Sequence, residues 1–243
     1  MLSFNIWNKF DIYRKEIIVW CLLSASCIAP ASGQKSKQEN LPHYDKRRIH
    51  YGFLMGIHRS YYNVDYSGKF INHQLDSIVS IMPPPRLGFD LGFIVNLRAG
   101  EFFDLRTTPK VGFYEYMVEY SFADETTINQ LVESTLVEIP VLLKYKSIKW
   151  GNSRIYIIGG LMPGIQASGN KNDIEERKLQ TSNFSLNGEL GFGFDFYFPL
   201  FKFSPEIRFS RGLVNMLEKD RFGYSDGMAG LNTNICTFYL LFE

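Results

Sequence analysis

Residues 184–198 read Phe-Ser-Leu-Asn-Gly-Glu-Leu-Gly-Phe-Gly-Phe-Asp-Phe-Tyr-Phe. Apart from Gly188, every second position of this stretch carries a large apolar side chain, and polar or small residues lie between them. Because successive side chains of a β-strand point to opposite faces of the sheet, this alternation predicts one long strand with an apolar and a polar face. The same period of two recurs in residues 86–98 and 201–210. The chain is therefore predicted to be all-β.

The predicted strands are longer than those of most soluble proteins. Eight strands are predicted, at residues 47–58, 86–98, 102–121, 132–147, 154–167, 183–198, 201–213 and 232–242. Soluble strands average about five or six residues, whereas a tilted strand needs about 9 to 11 residues to cross a bilayer. Most of the eight reach that length, which favours a membrane barrel over a soluble sandwich.

The connections between these strands alternate in length. Short turns are predicted at 99–101, 148–153 and 199–200, and long loops at 59–85, 122–131, 168–182 and 214–231. Outer-membrane barrels have short periplasmic turns and longer extracellular loops. We therefore predict a single eight-stranded, antiparallel, up-and-down transmembrane β-barrel of the outer-membrane type over residues 47–243, with both barrel termini in the periplasm.

Three prolines fall inside predicted strands, at Pro140, Pro163 and Pro205. Proline cannot donate a ladder hydrogen bond, so it is disfavoured in a central strand. Each of the three is therefore expected to mark a β-bulge.

The first residues have the features of an export signal. Basic residues precede an apolar run at 17–29, and the small residues 31–33 follow it. This order predicts a secretory signal peptide over residues 1–33 and a periplasmic segment over residues 34–46. An uncleaved anchor is the alternative, and a lipoprotein modified at Cys27 is a weaker one, because the apolar residue lies one place too far upstream.

Charge and cysteine usage exclude several classes of protein. The whole chain has a formal net charge of +1, and the part after residue 33 is close to neutral, so no nucleic-acid partner is expected. Cys236 is the only cysteine after residue 33. An internal disulfide framework and a multi-cysteine metal site are therefore excluded for the mature chain.

Charged residues on the polar faces are expected to fill the barrel. An eight-stranded barrel is only wide enough for side chains, so we expect no open pore. Unpaired buried charges are costly, which predicts salt bridges across the lumen. The charged residues predicted to face the lumen are Asp90, Arg98, Asp104, Arg106, Glu138, Lys144, Arg154, Glu189, Asp195, Glu206 and Arg208. A proton or ligand path through paired carboxylates is the alternative interpretation.

Few residues are candidates for catalysis. Of the four histidines, only His58, predicted at the outer end of the first strand with Ser60 close by, could act as a general base. No third, orienting group lies at a recognisable spacing, and no ligand cluster suggests a metal. We predict no catalytic residues, no cofactor, no metal and no small-molecule substrate.

Four segments carry a family resemblance: 46–53 (Lys-Arg-Arg-Ile-His-Tyr-Gly-Phe), 88–106, 132–146 (beginning Val-Glu-Ser-Thr) and 193–206 (ending Lys-Phe-Ser-Pro-Glu). Together they resemble the PorT family, outer-membrane components of the type IX secretion system of Bacteroidetes. The resemblance covers the chain from about residue 46 to 243. It implies a non-enzymatic part in protein export to the cell surface, and in gliding motility where the organism glides.

Two kinds of partner are expected: outer-membrane lipid, which a membrane barrel contacts, and other type IX secretion proteins, which the resemblance implies. The segments expected to touch such proteins are the short periplasmic turns and the basic residues Lys35, Lys37, Lys46, Arg47 and Arg48. The alternative is an OmpA-like or adhesin-type barrel whose long outer loops bind a ligand or a surface.

Overall fold

The computed structural model describes residues 39–68, 78–122, 127–168, 182–217 and 227–243. The predicted signal peptide lies outside the described residues, as do parts of all four predicted long loops. A single turn of 3-10 helix, Tyr44–Lys46, precedes the strands.

Eleven β-strands are present in these ranges. They are β1 (Ile49–Tyr66), β2 (Ile78–Met82), β3 (Arg86–Arg98), β4 (Phe103–Thr107), β5 (Lys110–Phe122), β6 (Thr127–Glu138), β7 (Val141–Lys146), β8 (Ser153–Ser168), β9 (Phe184–Tyr197), β10 (Lys202–Gly212) and β11 (Met228–Phe242). Among the described residues, no helix has the length and apolarity to cross a membrane.

The sheet closes on itself. β1 pairs with β11 on one side and with β3 on the other, and β8 pairs with β9, so the ladder returns to its starting point. Every pairing between named strands is antiparallel, and hairpin neighbours pair along the wall, as β3 does with β4, β5 with β6, β7 with β8, and β9 with β10. The prediction of an antiparallel up-and-down barrel is confirmed.

The predicted number of eight strands is wrong, because proline divides two of them. The predicted strand 102–121 is split at Pro109 into β4 and β5, and the predicted strand 132–147 is split at Pro140 into β6 and β7. Proline lacks the N–H that would continue the ladder. The pairing register is the same on both sides of each interruption, so each pair of strands still forms one continuous part of the wall. The eleventh strand, β2, lies within the predicted loop 59–85.

The predicted bulges at the prolines are also wrong. Pro163 lies in β8 beside the β6–β7 interruption, and its carbonyl oxygen accepts a hydrogen bond from the Ile139 amide at 3.0 Å. Pro205 pairs with Leu240 of β11, while the pairing of β10 with β9 is interrupted at this level. No register shift occurs at any of the three prolines. Each is tolerated because its missing N–H coincides with a gap in the ladder.

Several strands extend into the predicted loops. β1 continues to Tyr66, β6 begins at Thr127 and β11 begins at Met228, so the predicted loops 59–85, 122–131 and 214–231 are partly strand. The short turns are present at 99–102, 147–152 and 198–201. We call the end of the barrel that carries these turns the turn end, and the opposite end the loop end.

The outside of the barrel is apolar and the inside is polar. On β3 and β9 the outward side chains include Phe93 and Leu190, which are 69% and 67% exposed. On β10 the buried side chains are Lys202, Ser204, Glu206, Arg208 and Ser210. A water-soluble barrel would have the reverse arrangement, whereas lipid requires apolar side chains on the outside.

Candidate functional site

Arg106 of β4 is the centre of the charged cluster nearest the turn end. Its side chain is fully buried, with Nη1 3.2 Å from Glu206 Oε2 and Nη2 2.8 Å from Glu243 Oε1. Its Nε donates to Asn96 Oδ1 at 3.3 Å. Tyr156 donates its hydroxyl to the same Glu206 oxygen at 2.5 Å. One guanidinium therefore binds two different carboxylates, with one charge-assisted contact to each, and links β4 to β3, to β10 and to the end of β11.

Lys144 and Asp195 form a second buried ion pair at this end. Lys144 Nζ lies 3.0 Å and 2.7 Å from the two Asp195 carboxylate oxygens, and it sits 3.6 Å from the centre of the Tyr156 ring. Ser204 donates its hydroxyl to Asp195 Oδ1 at 2.7 Å. Both carboxylate oxygens thus accept hydrogen bonds from buried donors, and a buried charge depends on such partners.

The middle of the lumen contains a third cluster around Asp90 and Lys110. Asp90 Oδ2 lies 3.4 Å from Lys110 Nζ and accepts a hydrogen bond from the Tyr239 hydroxyl at 3.0 Å. Lys110 Nζ also lies 2.9 Å from Glu138 Oε2. Tyr114 donates to that Glu138 oxygen at 2.8 Å. Arg208 continues the network with ion pairs to Glu206 and Glu189.

Nine of the eleven residues predicted to face the lumen lie in this buried network. They are Asp90, Asp104, Arg106, Glu138, Lys144, Glu189, Asp195, Glu206 and Arg208. The other two are half-buried at the turn end: Arg154 pairs with Asp45 at 3.1 Å, and Arg98 donates to the Gly100 carbonyl at 3.1 Å. Alternation along each strand is enough to place these side chains, because it depends only on residue parity.

Sequence reasoning missed four charged members of the network. Lys146 lies 2.7 Å from Asp104 Oδ1, and Lys202 lies 2.6 Å from Glu243 Oε2, which also faces inward. Lys110 is the fourth. Lys110, Lys146 and Lys202 have the same parity as the predicted inward residues of their strands, so alternation could have identified them. Glu243 follows β11 and has the same parity as the buried Tyr239 and Leu241 of that strand.

The loop half of the lumen is filled differently, by an apolar and tyrosine-rich core. Its buried members are Tyr62, Ile81, Tyr114, Tyr116, Val118, Tyr120, Leu136, Met162, Met228, Leu231 and Ile235. The rings of Tyr62 and Tyr116 stack with centroids 4.3 Å apart. The described lumen is therefore packed with side chains along its length, with charged clusters towards the turn end and an apolar core towards the loop end.

The segment Glu39–Lys46 covers the turn end, a feature that sequence reasoning did not foresee. Asn40 donates its backbone N–H to Asn152 at 2.8 Å and its amide group to the Tyr197 carbonyl at 2.9 Å. The Tyr44 ring stacks on His50 with centroids 4.2 Å apart, and its hydroxyl lies 3.3 Å from Glu243. Burial, reinforced by the Glu243 charge, raises the pKa of the Tyr44 phenol well above its usual value. Tyr44 therefore stays a neutral hydrogen-bond donor in this contact.

At the loop end, the strands extend beyond the apolar outer band. Charged and polar residues enter the outward positions near this end, at Arg59, Glu115, Glu133, Arg211 and Asn234, with exposed Leu87 beside Arg59. We call the strand residues from these positions to the loop end the collar: 59–66 of β1, β2, 115–122 of β5, 127–133 of β6 and 228–234 of β11. The outside of the collar carries charged residues together with exposed apolar ones such as Val79 and Met82, which are 64% and 63% exposed, and the collar encloses the tyrosine-rich core.

The position predicted for His58 at the outer rim is wrong. β1 runs on to Tyr66, so His58 is buried in the middle of the barrel, with Nδ1 3.3 Å from Asp90 and the ring stacked on Tyr114 at 4.2 Å. Ser60 is buried and donates its hydroxyl to the Glu115 carbonyl at 3.4 Å. Neither side chain is accessible to a substrate. In the part of the chain that is described, no group of three or more His, Cys, Asp or Glu side chains could hold a metal ion.

A closed antiparallel barrel with an apolar outer band and a charged interior defines an outer-membrane barrel. The sequence agrees: the chain belongs to the family described as the outer membrane protein beta-barrel domain, whose model matches residues 33–218. The protein is therefore an outer-membrane β-barrel protein. A comparison with curated protein sequences gave no significant match.

Solved outer-membrane proteins have similar but diverged structures. The outer membrane protein OprG from Pseudomonas aeruginosa matches at 10% identity and a TM-score of 0.42, covering 81% of this chain and 94% of its own. Neisserial surface protein A matches at 8% identity and a TM-score of 0.41, covering 80% and 98%. The N-terminal barrel domain of Pseudomonas aeruginosa OprF matches at 11% identity and a TM-score of 0.31, covering 77% and 96%.

Proposed function

We propose that this protein is a non-enzymatic outer-membrane barrel that binds a ligand or a surface outside the cell through its loop end. The observation that carries the proposal is the collar, a strand-built extension that continues above the apolar band. β1 has 18 residues, well beyond the about 9 to 11 that a tilted strand needs to cross the bilayer. Such an extension holds the loop end rigidly away from the membrane.

The filled lumen supports a role at the surface and not in diffusion. Charged clusters such as Arg106 with Glu206, and stacked rings such as Tyr62 with Tyr116, occupy the space through which a solute would pass. Moving them would expose buried charges that are paired at 3.2 Å or less, which costs several kcal/mol, of the order of 3 to 5 for each broken pair. A packed lumen leaves the outer surfaces as the sites of function.

The orientation proposed for the barrel follows from the lengths of its connections. The connections at the turn end are short, at 99–102, 147–152 and 198–201. In outer-membrane barrels short turns face the periplasm and longer loops face the outside. The turn end and the segment that covers it are therefore assigned to the periplasm, and the collar to the cell surface.

The test uses outward collar side chains that do not touch the core. In a deletion strain of the native host, we would compare complementation by the wild type with complementation by the variant Tyr61→Ser/Glu119→Gln/Glu133→Gln. The readout is adhesion of the cells to surfaces coated with mucin, with fibronectin or with an array of glycans. The control variant, Trp150→Ser/Leu200→Ser, carries changes at the turn end.

The expected result is that deletion reduces adhesion to at least one surface, and that the wild type and the turn-end variant restore it while the collar variant does not. Barrel levels in the outer membrane are measured in every strain, so that loss of protein is separated from loss of binding. Adhesion that is unchanged by deletion on every surface would refute the proposal.

A second candidate function is supported by the sequence segments that resemble the PorT family. In this interpretation the barrel is a component of the type IX secretion system, needed for export of proteins to the cell surface and for gliding where the host glides. Its partners would be other secretion proteins that contact the turn end. Lys46, Arg47 and Arg48 are exposed there, and Trp150 and Leu200 are 83% and 91% exposed.

The same strains separate the two functions. We would measure the release of proteins that carry the type IX export signal, in the deletion strain and after complementation. The secretion function predicts that release is lost on deletion, restored by the collar variant, and not restored by Arg47→Glu/Arg48→Glu. Normal release from the deletion strain would exclude it.

A further inference from the structure

Two arginines point outward at the border between the apolar band and the collar. Arg59 of β1 and Arg211 of β10 are both exposed, on strands that flank β11. Directly towards the turn end from them lie Ile57 and Phe209, which are 65% and 55% exposed on the lipid-facing surface. On the loop side of Arg211, Leu213 is still 58% exposed, so the two guanidinium groups lie near the loop-side edge of the apolar band, where we place the headgroup region of the membrane.

The strand register gives the spacing of these arginines. Arg59 is paired with Cys236 of β11, and Arg211 with Asn234, two residues further along the same strand. Two inter-strand steps of about 4.8 Å and two residues of about 3.4 Å each give a Cα separation of about 12 Å. Tyr61 and Asn234, which pair across β1 and β11, lie at the level of Arg211 and offer polar groups. The pair spans the width of one large headgroup.

Neither arginine has a charged partner among the described residues. In the ladder, Arg59 is also opposite Leu87, and Arg211 is also opposite Gly188, so no neighbouring strand brings a carboxylate beside them. Arg86, at the same level on β3, differs because its Nε lies 3.6 Å from Glu115 Oε1. The arginine on β3 is thus paired with a carboxylate, whereas the two arginines on β1 and β10 carry unpaired positive charges.

Unpaired positive charge beside lipid attracts anionic headgroups, and arginine binds phosphate in a bidentate manner. We propose that Arg59 and Arg211 form a binding site for a phosphorylated glycolipid of the outer leaflet, a lipid A-type headgroup with two phosphate groups, one for each arginine. The acyl chains pack against the apolar band below. The choice of leaflet rests on the proposed orientation. The adhesion variant leaves Arg59 and Arg211 unchanged, so the two proposals can fail separately.

The test measures lipid binding by the purified full chain in zwitterionic detergent micelles. Lipid A is titrated in, and the lipid-bound fraction is followed by native mass spectrometry. The site variant is Arg59→Gln/Arg211→Gln, and the matched control is Arg86→Gln, which removes one arginine from the same level of the wall. The heat-dependent shift in gel mobility confirms that each variant is folded.

Each arginine near an anionic lipid is worth about fivefold in affinity, so the double variant should bind lipid A about thirtyfold more weakly. The control should bind like the wild type, and phosphatidylglycerol, with one phosphate, should bind the wild type more weakly than lipid A. Unchanged lipid A affinity in the double variant would overturn the proposal. So would an equal loss in the control, equal binding of phosphatidylglycerol, or displacement of lipid A by millimolar inorganic phosphate.

Discussion

Substitution of Lys144 by methionine should destabilise the barrel strongly, although methionine is apolar and fits a buried site. Lys144 is 1% exposed, and its ammonium group is the cation that binds both oxygens of Asp195. After the substitution Asp195 keeps only the hydrogen bond from Ser204. The carboxylate would then be a buried charge without its counter-ion.

The magnitude follows from which partners remain. Breaking a buried ion pair costs about 3 to 5 kcal/mol. Lys144→Met should lie near the lower figure, because Ser204 still donates to the carboxylate. Asp195→Leu should lie near the upper one, because the ammonium group loses both carboxylate oxygens and retains only the Tyr156 ring at 3.6 Å. The double variant should lose about 2 kcal/mol, the cost of leaving the Ser204 hydroxyl without its acceptor.

The assay is equilibrium unfolding by urea in detergent micelles, followed by gel mobility and by the fluorescence of Trp150. The slope of the unfolding curve is checked to be the same in all four proteins, so that differences in midpoint report stability. A double-mutant cycle then isolates the energy of the pair. A loss of less than about 1 kcal/mol in each single variant, or a loss in the double variant equal to the sum of the two, would show that the two side chains are not a coupled buried pair.

Three further outcomes are expected. Gly160→Ala should lower the free energy of unfolding by about 1 to 3 kcal/mol, because its Cβ would lie 2.1 Å from the Val141 carbonyl oxygen. Gly188→Ala should change it little, because the nearest atom to its Cβ would be 3.7 Å away, and equal losses for the two variants in urea unfolding would contradict this. In vesicles, and with the other cysteines changed to serine, exposed Cys236 should react with a lipophilic maleimide faster than with a charged one, and the opposite order would place it off the lipid-facing surface. Tyr44→Ala should speed trypsin cleavage after residues 46–48 in micelles, whereas Tyr44→Phe should not, because it retains the ring that stacks on His50. Identical cleavage of the two variants would argue against the stacked contact.

The inward-facing residues could be predicted from the sequence because facing is a local property. Asp195 and Glu189 alternate with phenylalanine and leucine along β9, and in a pleated strand residues of equal parity share a face whatever surrounds them. The same rule could have identified Lys110 and Lys202. Strand ends were harder to predict, because alternation continues into the collar. β1 therefore runs on to Tyr66, and His58 lies in the middle of the barrel and not at its outer rim.

The pairing of the charges could not be predicted in this way. Arg106 binds Glu206, which is 100 residues away in the chain, and Lys144 binds Asp195, which is 51 residues away. Which carboxylate meets which cation depends on the closure of the wall and on the register of every strand in between. Likewise, no pattern within residues 39–46 indicates that the segment folds under the turn end, where Asn40 meets Asn152 and Tyr197.

Local sequence patterns are sufficient to predict long amphipathic strands with short turns at one end, and hence an outer-membrane barrel with a charged interior. Alternation and turn spacing are properties of neighbouring residues, and lipid accepts only one of the two faces. The closed barrel is needed to establish the partners of the buried charges, the cover at the turn end, the collar, and the positions of Arg59 and Arg211 on either side of β11. Each of these depends on contacts between residues far apart in the chain, which exist only once the sheet has closed.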